Sequence, residues 1–309
     1  MDRLPPEKRE ISADVLAKAM DIMPYALSFS LTPLGEPLLF SRFKELLEAH
    51  RNLKCRNLCM TTNGILLDEE RCELIVRSMV NRLFISVDTP NPERYREMRR
   101  GGELQKVIDG IRRIQRWKEK LGVDLPGLSL ASTFMRMNIE DLPALVDFAH
   151  NLGIDEIYVQ LMEPEDPAME PDMLWHHVPL TARMLKQASR KANQCGVHLN
   201  IGLALRNILS SAVSEAKDRE GIEMETMEPG WDTRGKLLIE KCRYPWNSLL
   251  IDTDGEVRPC CWTGIRFGNL GRQTFQEVWN GPAALKMRRD FLNNVVPPGC
   301  RNKHCRVDL

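Results

Sequence analysis

From Ser12 to about Val197, short apolar runs rich in β-branched and aromatic residues alternate with stretches whose apolar positions recur every three or four residues. Period two changing to period 3.6 and back is the signature of βα units around a parallel sheet, an α/β fold. The pattern predicts strands over 25–31, 55–61, 82–88, 127–135, 156–161 and 197–201. Between them, Leu104, Val107, Ile111 and Ile114, and again Leu142, Leu145, Val146 and Ala149, mark helix faces wide enough to cover a sheet. Val15, Leu16, Ala19 and Met23 mark a helix ahead of the first strand.

The alternation then stops. Pro164, Pro167 and Pro171 interrupt it, and the stretch from Ser210 to Lys236 is polar and punctuated by glycine and proline. We place a domain boundary near Gly230, giving domains 1–230 and 231–309. In the second, Asp252-Thr253-Asp254-Gly255 is an Asp-Gly turn between two short apolar runs, a hairpin signal. Thr274 is placed to cap a helix through Trp279, and Pro282 to open another.

At 309 residues and 43% hydrophobic composition, the chain has material for a large domain and a small one. Lys plus Arg and Asp plus Glu both count 43, with no run of like charge, which argues against nucleic acid or an acidic membrane as partner. MDRLPPEKRE has no apolar leader core, and no stretch approaches the roughly 18 apolar residues of a membrane span, so the expected location is cytoplasmic. Nine cysteines in such a compartment are thiols or metal ligands rather than disulfides.

Alternation along 82–88 sends Leu83, Ile85 and Val87 one way and Ser86 and Asp88 the other. The same carboxyl end of other strands carries Gly35-Glu36-Pro37, Thr62-Asn63-Gly64, Met135-Arg136 and Gln160. Ligands of parallel α/β folds bind at that end, so these polar groups share one candidate rim. Each taken singly is also ordinary loop chemistry.

Leu34-Gly35-Glu36-Pro37, Thr61-Thr62-Asn63-Gly64, Ile85-Ser86-Val87-Asp88, and then Tyr95, Arg99 and Gly101-Gly102 resemble, in order and spacing, the radical S-adenosylmethionine (radical SAM) superfamily. The resemblance implies that Gly35, Glu36 and Pro37 hold the methionyl amino group of SAM, with Asn63, Ser86 and Asp88 along its ribose and methionyl portion. It also implies a CxxxCxxC loop after the first strand, whose thiolates hold a [4Fe–4S] cluster. No cysteine precedes Cys55. The implied fold is therefore a partial (β/α)6 TIM-like barrel missing its first strand, plus a small cysteine-rich C-terminal domain, and we expect a truncated or misassigned start with the ligand loop upstream.

Cys55 and Cys59 do not replace that loop: in a strand, four residues span roughly 13 Å, too wide for one compact cluster. Cys72, at helical spacing with Ile75 and Val76, and Cys195, before Gly196, read as core thiols. The remaining cysteines differ. Cys242 precedes the hairpin, Cys260 and Cys261 follow it, and Cys300 and Cys305 lie near the end, an arrangement by which small irregular domains wrap a metal. It resembles the SPASM/twitch extension of radical SAM enzymes, with Phe267-Gly268-Asn269-Leu270 and Glu277-Val278-Trp279-Asn280 in support. The expected ligands are Cys242, Cys260, Cys300 and Cys305, holding one auxiliary [4Fe–4S] cluster in preference to zinc. The family's usual terminal CxxC is wider here, which leaves His304 as an alternative to one of the last two. Cys261 is the alternative to Cys260, and glycine spacing favours the latter.

The function implied by resemblance is radical-initiated hydrogen abstraction using SAM on a peptide, protein or other biosynthetic small molecule, with a ferredoxin or flavodoxin as electron donor. The competing reading is a non-catalytic barrel with a metal-stapled tail that binds a peptide or partner protein. A zinc-stabilised hydrolytic or isomerase barrel lacks the His/carboxylate or Ser-His-Asp set it would need.

Overall fold

The computed structural model describes residues 10–31, 35–53, 57–162, 164, 166–202, 205, 242–261 and 263–300. By packing they form two units: residues 26–205, and a second that joins residues 10–25, including helix α1 (Ala13–Ile22), to residues 242–300. The boundary expected near Gly230 falls outside the described residues.

In the larger unit, β1 (Phe29–Leu31), β2 (Leu58–Thr62), β3 (Arg82–Ser86), β4 (Gly127–Phe134), β5 (Glu156–Leu161) and β6 (His198–Ile201) pair in parallel in the order of the chain. Parallel neighbours need a crossover. It is supplied in turn by α2 (Phe43–Leu53), α3 (Glu69–Arg77), α4 (Pro92–Met98) with α5 (Leu104–Leu121), α6 (Leu142–Asn151) and α7 (Val178–Cys195). This is the partial TIM-like α/β barrel the pattern implies. The first strand is shorter than the 25–31 run, because Met23–Tyr25 is a 3-10 turn around Pro24, which has no N–H for a ladder. The second is displaced to Leu58–Thr62, with Cys59 inside it and Cys55 outside the described residues.

Residues paired across a parallel sheet share a face, so the register separates two surfaces. One row runs Thr62, Ile85, Leu130, Ile157; Ile85, Leu130 and Ile157 are wholly buried and Thr62 is 1% exposed. This is the helix-covered side, where Ile85 and Val107 of α5 both approach Gly64. Full burial of such aliphatic side chains stabilises by roughly 1.5–3 kcal/mol each, which makes this interface the main source of the unit's stability. The opposite row runs Thr61, Phe84, Ser129, Glu156, His198, and the next Ser86, Ala131, Tyr158, Asn200. These inner-face positions are polar, aromatic or small.

The smaller unit is built on an antiparallel sheet of β7 (Leu250–Ile251), β8 (Glu256–Arg258) and β9 (Gly268–Asn269). Gly255 turns the hairpin at φ +81°, where a Cβ would stand 3.0 Å from Asn269 Oδ1 and from Val15 Cγ2. The helix Phe275–Trp279 starts with a full capping box, Thr274 with Glu277, and the helix Pro282–Leu292 opens on proline. Val257, Leu270, Val278, Met287 and Phe291 form the core together with Val15. Lys18 Nζ of α1 also donates to Leu270 O at 2.7 Å. An amphipathic stripe says that a face is buried, not against what. Of the stripe marked ahead of the first strand, Val15 packs into this core, with Ile11 and Ile22 beside it. Among the described residues no helix is long and apolar enough to cross a membrane.

Candidate functional site

Gly35 is half-buried, and Glu36 and Pro37 are buried at the start of a 3-10 turn Pro37–Leu39. Glu36 Oε1 accepts from Thr62 Oγ1 at 2.6 Å and from Leu38 N at 3.1 Å, and its Oε2 accepts from Asn63 N at 2.8 Å. One carboxylate thus fastens the loop after β1 to the carboxyl end of β2. Asn63 Oδ1 accepts from Ile65 N at 2.9 Å, and Thr62 Oγ1 accepts from Gly64 N at 3.0 Å, closing the turn upon itself. Gly64 needs to be glycine: φ is +77°, and a Cβ would meet Val107 Cγ1 at 2.9 Å. The structure brings Gly35, Glu36, Pro37 and Asn63 together.

One strand further, Ser86 is half-buried on the inner face and Asp88 is 6% exposed. Arg99 donates from Nε to Asp88 Oδ2 at 2.8 Å, with Nη2 2.7 Å from the same oxygen, and Thr133 N donates to Asp88 Oδ1 at 2.8 Å. Asn138, fully buried, donates Nδ2 to Asp88 O and Thr133 O, both at 3.0 Å. Asp88 therefore ties the ends of β3 and β4 to the segment after α4. The following Gly101-Gly102 covers Tyr95: a Cβ on Gly102 would stand 2.8 Å from Tyr95 Cε1. Burial pushes the Tyr95 hydroxyl above the usual phenol range.

The inner face has three levels. At the amino ends of the strands, Arg82 reaches across β4 from β3 to β5. Its Nη1 donates to Ser129 Oγ at 2.7 Å and Glu156 Oε2 at 3.0 Å, and lies 3.3 Å from Asp155 Oδ1. Gly127 makes the crossing possible, since a Cβ there would press on the guanidinium at 3.2 Å. In the middle, Phe84 and Tyr158 meet edge to face with centroids 5.3 Å apart. Burial first, then the Glu156 charge, raises the Tyr158 hydroxyl, which is therefore a neutral donor at pH 7. The carboxyl end carries Ser86, half-buried Thr133 and exposed Gln160. Sequence reasoning found Ser86 and Gln160 at this last level; it missed Thr133, Arg82, Phe84, Glu156 and Tyr158, although carrying the two-residue alternation through every strand would have placed them on one face.

In the smaller unit Cys300 is 7% exposed in the turn Pro298–Cys300, with Thr263 Oγ1 3.7 Å from its sulfur. Cys242 is half-buried and packs against the same core as Cys300. Cys260 is half-buried and Cys261 exposed, in a turn beyond β8 rather than on an extended strand. His304 and Cys305 lie outside the described residues. Three ligand atoms within 4.8 Å of one another occur, among the described residues, only at Asp252, Asp254 and Glu256, a hairpin tip where Arg258 and Arg266 pair with Asp252 and Glu256. Cys242, Cys260 and Cys300 offer soft thiolate ligands of the kind that hold an iron-sulfur cluster or zinc. Outside this set, Cys72 is fully buried and burial pushes its thiol up to about 12, an inert core position.

Residues 3–149 match the model of the radical SAM superfamily, and residues 242–306 match SPASM, the iron-sulfur cluster-binding domain. The chain belongs to the radical SAM superfamily. The cofactors of that assignment are an iron-sulfur cluster and SAM. A "Probable GTP 3',8-cyclase" of Methanocaldococcus jannaschii is 35% identical over 226 residues, 73% of this chain and 66% of the relative. An "AdoMet-dependent heme synthase" of Methanosarcina barkeri is 23% identical over 258 residues, 83% of this chain and 69% of the relative. The crystal structure of Streptococcus suis SuiB bound to S-adenosylmethionine superposes with TM-score 0.61 at 18% identity, covering 89% of this chain and 59% of SuiB. SuiB has also been solved bound to its precursor peptide SuiA. In this radical SAM chain, the expected SAM residues sit on the rim of the larger unit and three of the four expected cluster cysteines in the smaller one.

Proposed function

We propose that this chain is the SAM- and substrate-binding body of a radical SAM/SPASM enzyme that abstracts hydrogen from a biosynthetic substrate. The observation that carries the reading is the assembled rim: Glu36 holds Gly35–Pro37 against Thr62 and Asn63, while Ser86 and Asp88 follow on the next strand. When bound, a reduced iron-sulfur cluster and SAM would supply one-electron, hydrogen-abstracting chemistry. The chain's own residues do the rest. Backbone groups of Gly35–Pro37 present carbonyl acceptors to an ammonium, and Asn63 Nδ2 and Ser86 supply polar contacts to a ribose. Arg99 and Thr133 hold Asp88 as a fixed wall of the same pocket.

The inner face sets the substrate class. Arg82, at the amino ends of the strands, is already matched by Asp155 and Glu156, and the layer above is the Phe84–Tyr158 pair. A flat or extended substrate with hydrogen-bonding edges fits that surface, and both a heterocycle, as the names of the cyclase and heme synthase suggest, and a peptide, as in SuiB, meet the description. Cys242, Cys260, Cys300 and Cys305 would hold the auxiliary cluster. Anaerobic reconstitution followed by iron counting and a 5′-deoxyadenosine assay tests the proposal. Near four irons per chain with SAM binding supports the rim and one auxiliary cluster, and 5′-deoxyadenosine formation would add catalysis by this chain itself. Bound zinc without iron, or no SAM binding, refutes it. SAM binding without cleavage favours the non-catalytic reading for the chain alone, consistent with the absence of cysteine from residues 1–54.

A further inference from the structure

Arg288, on the helix Pro282–Leu292, is 9% exposed, and no carboxylate among the described residues pairs with it. Its Nε donates to Pro245 O at 2.8 Å and its Nη1 to Trp279 O at 2.7 Å. The guanidinium lies 4.2 Å from the centroid of Trp279 and 5.9 Å from that of Phe267. Its Nη2 is buried with no hydrogen-bond partner. Arg288 is the most buried arginine among the described residues, and no acid there pairs with it.

A buried cation with no anion beside it carries a desolvation penalty that two carbonyls and an aromatic face offset only in part. Its neighbours lead toward the cluster cysteines. Pro245, which it grips, lies three residues beyond Cys242 in the chain. Phe267, Met287 and Phe291, which surround it in space or sequence, belong to the core that contains Cys300 and against which Cys242 packs. Thiolates holding an iron-sulfur cluster carry net negative charge, and the potential of such a cluster is set by that charge, by hydrogen bonds to sulfur and by burial. We infer that Arg288 is the buried counter-charge of the SPASM cluster and a positioning residue for the Cys242 turn. The inference rests on the cluster reading of this unit. A fixed positive charge favours the reduced, more negative cluster, so Arg288 raises its reduction potential.

The test is an EPR-monitored redox titration of the reconstituted full chain, with iron counted in each sample, comparing the unmutated protein with R288Q and R288K. Glutamine removes the charge, and lysine keeps it while losing the planar fork. R288Q is expected to raise the oxidised-to-reduced ratio at a fixed potential about tenfold, which for one electron is about 59 mV. R288K is expected to stay within about twofold of the unmutated protein. Equal shifts in both variants would reduce Arg288 to a structural brace and overturn the proposal, as would an unchanged potential in R288Q. If R288Q holds no cluster, R288K decides: iron and potential retained support the counter-charge, iron lost overturns it. Zinc in place of iron in the unmutated protein would instead overturn the cluster reading beneath it.

Discussion

Glu36 meets three donors, from Thr62, Leu38 and Asn63, so its carboxylate works only as an acceptor. Glu36→Gln turns one acceptor into a donor facing an N–H or O–H. We expect a loss of about 1–3 kcal/mol in urea denaturation and weaker SAM binding by equilibrium dialysis; unchanged binding would separate the loop's stability from its role. Gly64→Ala meets both a positive φ and Val107 Cγ1 at 2.9 Å. A cost of about 1–3 kcal/mol is expected, and adding Val107→Ala should return the steric part but not the backbone part. His50 is 4% exposed, and burial lowers its pKa below 6.5. The folded state then binds fewer protons than the unfolded state below pH 6.5, so this group's contribution is present above that pH and falls as the pH drops through it. Denaturation at pH 7.5 and 5.5 should show a smaller acid loss for His50→Leu than for the unmutated chain.

Elements show how much of the molecule was legible beforehand. Period two marked all six parallel strands because one face of each is sealed beneath helices, so slippage by one residue would expose Leu83 and Ile85. The Asp254-Gly255 turn and the Thr274 cap were equally readable, since they depend on local chemistry alone. Thr274→Ala should cost about 1 kcal/mol, detected as a lower melting temperature of the small unit. What stayed hidden was set at a distance. Arg99 finding Asp88, Arg82 spanning β4 over Gly127, and Lys18 reaching Leu270 are contacts that no window of neighbouring residues contains. The rim motifs named the residues at the carboxyl ends, but only the register showed that Phe84 and Tyr158 meet above Ser129 and Ala131.

At the scale of the whole molecule, the chain makes one unit out of its middle and another out of its two flanks. Val15→Ala removes part of a side chain that is 3% exposed in the flanking unit. We expect a loss of about 1–3 kcal/mol, with hydrogen exchange accelerating at β8 and β9 rather than at β2 to β5. Acceleration in the larger sheet instead would return α1 to the barrel. The arrangement also dictates an order of events during synthesis. Val15 on helix α1 is made before the whole of the six-stranded sheet, and must wait through it before Val257, Leu270 and Phe291 arrive to cover it. A contact between such distant partners is slow to close. Through that interval the nascent chain offers Val15 and its neighbours on α1 to chaperones and proteases.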